Sequence, residues 1–114
     1  MWQVVTVDYF DDWFLSLNPA EQQSILTAIF KLQSIGPLLG RPDVDTLSGV
    51  HRVKNLKELR VQYKGKPYRV LFAFDPKRQA VMLCGGDKTG DKRFYDRMIP
   101  IAEREFIAHL EKLD

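Results

Sequence analysis

A chain of 114 residues, 45% of them apolar, is large enough to bury a core and too apolar to remain disordered. Its single cysteine, Cys84, excludes an internal disulfide and a cysteine-rich zinc site. The formal charge of +2 is unevenly spread: residues 41–93 hold 13 basic and 6 acidic side chains, the remainder 4 basic and 9 acidic. A basic middle between acidic flanks favours a local phosphate or nucleic-acid surface over an evenly solvated exterior.

No run approaches the roughly 18 apolar residues that a membrane span needs, and no basic-then-apolar leader opens the chain. The expectation is therefore one domain over residues 1–114, soluble and cytoplasmic, with no membrane partner.

Gln3–Val7 is a short β-rich run and the predicted first strand. Phe10, Trp13, Phe14 and Leu17 recur at helical spacing, which predicts an amphipathic helix over 8–17. Asn18-Pro19-Ala20-Glu21 then combines an N-cap, a proline at the first helical position and a capping-box glutamate. A second helix follows to about Ser34, burying Ile25, Ile29 and Leu32, and Gly36-Pro37 stops it. Residues 37–50 read as a long loop, either packed by Leu38, Leu39 and Leu47 or functional.

Two strand-like runs come next, Asn55–Tyr63 and Tyr68–Asp75, around the turn signal Lys64-Gly65-Lys66-Pro67. A two-residue turn at Gly65-Lys66, or a four-residue loop, sets Tyr63 opposite Tyr68 and Leu59 opposite Phe72. Leu59, Val61, Tyr63, Tyr68, Val70 and Phe72 then form one apolar face. Arg60, Gln62, Arg69 and Leu71 form the other, with Arg60 and Arg69 as diagonal neighbours. A lone strand arginine is commonly solvated or paired with a carboxylate, and Glu58 or Asp75 is placed to do so. Two arginines on one face instead make an anion site. A side chain turned away from the apolar face is expected to cost little stability when removed.

Asp75–Gln79 is a second turn, and Ala80–Cys84 a buried final strand whose thiol is structural. Gly85–Arg93 reads as a flexible glycine-rich loop carrying Lys88, Lys92 and Arg93. It lacks the four-residue spacing of a Walker A loop. The rest, to about Leu113, is helical with Phe94, Met98, Ile101, Ile107 and Leu110 as the inner stripe, kinked or restarted at Pro100.

His51 precedes the hairpin near Arg52 and Lys54, a possible RNA contact, and His109 is expected at the surface. Neither has partners at metal-ligand spacing, so no metal and no cofactor is expected. What remains is a cation cluster with Tyr63, Tyr68, Phe94 and Tyr95 as aromatic neighbours. Arg60, Arg69, Lys88 and Lys92 are the candidate catalytic cations. Lys54, Lys57, Lys64 and Arg93 are the candidate RNA-binding ones. Cations hold phosphates and aromatics stack bases. Such a set suits RNA cleavage by the RNA's own 2′-hydroxyl, with fixed cations stabilising the pentacoordinate phosphorane.

Asn55-Leu56-Lys57-Glu58-Leu59-Arg60, Tyr68–Asp75, Gly86-Asp87-Lys88-Thr89, Phe94-Tyr95 and Ile99–Glu103, in that order, resemble the RelE/HigB superfamily of toxins. The resemblance is to its phage-derived Gp49-like branch and covers most of the chain. It implies a small α+β domain: an N-terminal strand and helix hairpin, an antiparallel central sheet and a C-terminal helix. It also implies a ribosome-dependent mRNA endonuclease held in check by a HigA-like antitoxin with a DNA-binding domain, which reaches operator DNA indirectly. By resemblance the catalytic positions fall on Arg60, Arg69, Lys88, Lys92 and Tyr95. Glu58 departs from the pattern, standing where RelE carries a lysine two residues before the strand arginine. The related ParE branch inhibits gyrase on the same fold, and is the alternative. The acidic end helices, with Asp8, Asp11, Asp12 and Glu21 on one side and Glu103, Glu105 and Glu111 on the other, are the expected antitoxin surface.

Overall fold

Alternation in the three long strand runs and helical periodicity on either side of them produce one sheet covered on both faces. The computed structural model describes residues 1–49 and 51–113. In chain order it holds β1 (Gln3–Thr6), α1 (Asp8–Leu15), α2 (Pro19–Ile35), a 3₁₀ turn (Gly36–Leu38), β2 (Val44–Thr46), β3 (Lys57–Tyr63), β4 (Lys66–Phe74), β5 (Gln79–Asp87) and α3 (Phe94–Glu111). The strands lie in the order β1-β5-β4-β3-β2. β2 to β5 are antiparallel neighbours, while β1 joins the edge parallel to β5. No helix among the described residues is long and apolar enough to cross a membrane.

The capping box forms as the sequence requires. The Asn18 side chain accepts from the Glu21 amide (2.8 Å) and Glu21 accepts from the Asn18 amide (2.9 Å). The other Glu21 carboxylate oxygen accepts from the Tyr68 hydroxyl, so the start of α2 is pinned to β4. α1 and α2 bury Phe10, Ile25, Ile29 and Leu32 against Leu59, Val61, Val70, Phe72 and Met82. On the opposite face α3 buries Phe94, Met98, Ala102 and Phe106 against Leu71, Ala73, Val81 and Leu83.

The hairpin turn is Lys64-Gly65 rather than Gly65-Lys66. Both residues are left-handed (φ 50° and 78°), the pattern of a type I′ turn, whose twist matches that of paired strands. Pairing therefore slips by two from expectation: Tyr63 faces Lys66, Val61 faces Tyr68 and Leu59 faces Val70. A slip of two preserves which face each side chain takes, and a slip of one would not.

Other departures have local causes. The 37–50 stretch contributes an edge strand, β2, because its main chain finds partners on β3. Leu39 is buried and Leu47 packs beneath α3, but Leu38 is 91% exposed and holds nothing down. β5 runs on through Gly85 and Gly86 to Asp87, so these glycines are not loop residues. A Cβ at Gly85 would sit 2.4 Å from the Trp13 ring, and one at Gly86 would sit 2.9 Å from Phe94. Their role is to admit aromatics from opposite faces. A bulge opposite Leu71/Phe72 turns both Leu83 and Cys84 toward α3. Burial pushes the Cys84 thiol up to about 12.

α3 continues through Pro100 without a break. Its inner stripe is Phe94, Met98, Ala102 and Phe106; Ile101 and Ile107 are half-buried and Leu110 is exposed. His109 is not at the surface as expected. It is half-buried, stacks on Phe106 and shares a hydrogen with Asp75 (2.8 Å). Asp75 also accepts from the Lys77 and Gln79 amides and the Gln79 side chain, which ties the β4–β5 turn to the end of α3.

Candidate active site

α3 lies over β4 and β5 but not over the hairpin end of β3, which leaves part of that sheet face open. Glu58, Arg60 and Gln62 alternate onto this face from β3, and Arg69 joins them from β4. Arg60 and Arg69 are direct cross-strand partners, not diagonal ones. The Arg60 amide points the other way, out of the sheet, donating to the Asp43 carbonyl (2.8 Å). The two arginines therefore form a non-hydrogen-bonded pair, the closer of the two antiparallel spacings, with Cβ atoms about 4.5–5.5 Å apart.

Like charges directly opposite on a sheet repel, so this pair needs compensation. Glu58 supplies it for Arg69 alone: Glu58 Oε1 lies 3.7 Å from Arg69 Nε, with both residues almost fully buried (6% and 5% exposed). Arg69 Nη1 donates to the Tyr68 carbonyl (3.0 Å), and Nε has no hydrogen-bond partner. Arg60 is half-buried and forms no ion pair among the described residues.

Glu58 also reaches α3. It accepts from the Tyr95 hydroxyl at 2.5 Å. Burial, then the hydrogen bond and charge of Glu58, push the Tyr95 phenol up to about 12, against the pull of Arg69. Tyr95 is consequently a protonated donor at neutral pH. The Lys88 ammonium sits over its ring, 5.3 Å from the centroid, and the Lys88 amide donates to the Pro67 carbonyl (2.9 Å). Pro42, Asp43, Arg60, Gln62 and Arg69 enclose a hollow of about 350 Å³. Two guanidinium groups beside such a space can grip a phosphate from two sides.

The structure thus links Arg69, Tyr95 and Lys88 through Glu58 and sets Arg60 directly across the strands from Arg69. The other candidates lie elsewhere. Lys57 alternates onto the opposite face and donates to Thr46 Oγ1 (3.0 Å). Lys64 occupies the hairpin tip, over the Tyr63 ring at 5.5 Å. Lys54, Lys92 and Arg93 are exposed, and among the described residues none touches the arginine pair. Arg93 is held by its amide to Asp91 (3.1 Å), whose carboxylate also pairs with Arg97 (2.7 Å). Tyr68 and Phe94 are core residues and unavailable for stacking. The His51 ring shares a hydrogen with the Ser48 carbonyl (2.7 Å). Among the described residues, no three of His, Cys, Asp and Glu converge as a metal site would require.

Glu58 is the residue whose weight sequence reasoning understated. Strand parity alone puts it on the face of Arg60 and diagonal to Arg69, which was the available signal. Its contact with Tyr95, 37 residues on, depends on where α3 lands.

The sequence pattern of the family described as Phage derived protein Gp49-like matches residues 12–106. A Mycobacterium tuberculosis protein named as toxin HigB3 is 46% identical over 102 residues, covering 89% of this chain and 87% of the relative. A second from the same organism, named as toxin HigB2, is 41% identical over 110 residues, covering 95% of this chain; the chain spans 54% of that relative's length. Among solved structures, the toxin–antitoxin complex RelBE2 of M. tuberculosis shares the fold, with a TM-score of 0.56 at 17% identity over 75% of this chain and 96% of the other.

Proposed function

From the premise that this chain belongs to the phage-derived Gp49-like family, among the HigB/RelE-like toxins of toxin–antitoxin systems, we propose that it is an endoribonuclease that cuts mRNA on the ribosome. The observation that carries the proposal is the facing pair Arg60 and Arg69 on an open sheet face, with a carboxylate assigned to only one of them.

In this reading the scissile phosphate lies in the hollow between Arg60 and Arg69. The 2′-hydroxyl of the preceding nucleotide attacks phosphorus as its proton passes to water, and the bond to the 5′-oxygen breaks as that oxygen takes a proton from water. A 2′,3′-cyclic phosphate and a free 5′-hydroxyl result. Arg60, whose charge is unspent, neutralises the oxyanion that grows in the transition state. Arg69 is fixed by Glu58 and the Tyr68 carbonyl and presents its remaining donors without reorganising. Tyr95, protonated throughout the neutral range and donating its one hydroxyl hydrogen to Glu58, holds that carboxylate in place and does not serve as the base. Lys88 adds positive charge above it. No step in this reading calls for a metal.

The proposed setting is the cytoplasm. The partners are the ribosome, mRNA and a HigA-like antitoxin whose DNA-binding domain connects the pair to operator DNA. The test is primer extension on messages translated by purified ribosomes, with wild type and Arg60→Ala. New 5′ ends inside the reading frame are expected with wild type and about 10²–10³-fold fewer with the variant, the usual loss for one oxyanion-stabilising group. Equal cleavage by both removes Arg60 from the chemistry. Intact messages with broken DNA in treated cells would point to gyrase instead.

A further inference from the structure

The antitoxin's seat is not given by the active site alone, and the outer edge of β3 supplies a second feature. β2 ends at Val44, opposite Leu59, and only the Asp43 carbonyl continues the ladder, accepting the Arg60 amide. In an antiparallel strand every second residue points its amide and carbonyl to the same edge. Those of Gln62 therefore face outward, as those of Arg60 do, and among the described residues no main-chain group meets them. An open edge of this kind is a template for another strand.

Alongside it runs a groove of about 510 Å³ between β3 and α2, lined by Ala28, Phe30, Lys31, Arg60, Val61 and Gln62. Phe30 is 60% exposed, and a further hollow of about 460 Å³ lies on its far side against Leu26. Over 17 residues α2 carries one acidic and one basic side chain, Glu21 and Lys31. Glu21 is tied to Tyr68 and Lys31 to Asp43 (2.9 Å). The groove therefore offers apolar surface and main-chain hydrogen bonds, with Arg60 as its unpaired charge. Asp43, Arg60 and Gln62, at the edge of the sheet, line both this groove and the arginine hollow.

We propose that this edge and groove seat an extended segment of the antitoxin, which adds a short strand to β3 beside Gln62. Parity then specifies the segment. Residues opposite Val61 and Tyr63 turn toward α2 and must be apolar, to lie on Ala28 and Phe30. The residue opposite Gln62 turns to the other face, diagonal to Arg60, and must be acidic. The free strand edge and the apolar side chains of Ala28 and Phe30 select a peptide over RNA, and charge complementarity to Arg60 selects an acidic residue within it. An antitoxin seated here blocks the scissile-phosphate hollow directly, without the acidic end helices.

The proposal rests on the toxin–antitoxin reading, and its test separates the two. The chain is co-expressed with the protein encoded beside it, and amide exchange is compared with that of the chain alone. Slowed exchange is expected at residues 61–63 and along 27–31. Gln62→Pro removes only an outward-facing amide, a change that edge strands tolerate. It should weaken the complex by about tenfold, the scale of one lost main-chain hydrogen bond left unmade, while Gln62→Ala binds as wild type. Phe30→Asp, on an exposed site, should weaken it as well, and serves alone if the proline variant does not fold. A complex whose protection lies only on α1 or α3, with Phe30→Asp binding normally, overturns the docking site and leaves the toxin reading standing. No complex with the neighbouring protein overturns both.

Discussion

Arg69→Ala is expected to destabilise the fold, contrary to what a strand arginine on the non-apolar face suggests. The guanidinium is buried, and its removal strands the equally buried Glu58 carboxylate with the Tyr95 hydroxyl as its remaining partner. Breaking a buried pair by deleting one partner costs about 3–5 kcal/mol. The 3.7 Å separation is not a good hydrogen bond, so the lower part of that range and somewhat below, about 2–4 kcal/mol, applies here. At roughly 4 °C per kcal/mol for a chain of this size, the melting temperature should fall by roughly 8–16 °C. Adding Glu58→Gln removes the stranded charge but keeps an acceptor for Tyr95, so the double variant should melt above Arg69→Ala. The coupling in the cycle should be about 1–3 kcal/mol. Arg60→Ala is the control: half-buried and unpaired, it should shift stability by less than about 1 kcal/mol, with relief of like-charge repulsion working in its favour. Calorimetry at neutral pH on wild type, Arg69→Ala, Glu58→Gln, the double variant and Arg60→Ala decides. Arg69→Ala melting within about 1 kcal/mol of wild type, with no coupling to Glu58→Gln, would refute the reasoning.

The phenols of Tyr68 and Tyr95 are both raised to about 12, so a spectrophotometric titration should show two late steps, each removed by the corresponding Tyr→Phe change. Because the folded pKa lies above the unfolded value of 10, their contribution is intact below pH 10 and lost as pH rises toward 12; chemical denaturation across that window checks the sign. Gly85→Ala should cost about 1–3 kcal/mol by overpacking, since the new methyl group meets the Trp13 ring, and Trp13 fluorescence should change with it. Hydrogen bonds from His109, Gln79 and Lys77 hold the Asp75 carboxyl below its ordinary range despite burial. Its stabilisation is therefore present above that range and lost as pH falls through the lowered value. Asp75→Ala should abolish that acid limb and speed amide exchange over residues 107–111.

Short-range signals were enough for much of this protein. Asn18, Pro19 and Glu21 place the start of α2 to the residue, because a cap is settled by atoms three positions apart. Alternation along 57–63 and 68–74 puts Arg60 and Arg69 on one face whatever the loop does by twos, because a side chain's face depends only on parity. The turn itself needed the tertiary twist: Lys64 accepts a left-handed conformation because the type I′ turn fits the sheet, a preference no lysine announces. The same limit applies to Gly85 and Gly86, which read as a flexible loop until Trp13 and Phe94 arrive from two helices to fill the space their missing side chains leave. It applies most of all to Glu58. Charge pattern and parity set it beside the arginines, but its burial, its hold on Tyr95 and the resulting split between one compensated and one uncompensated arginine follow from α3 covering part of the face and stopping short of the hairpin end of β3. Residue chemistry and spacing assembled the cations; the packing of the helix that carries Tyr95, 37 residues from Glu58, decided which arginine has a buried carboxylate beside it.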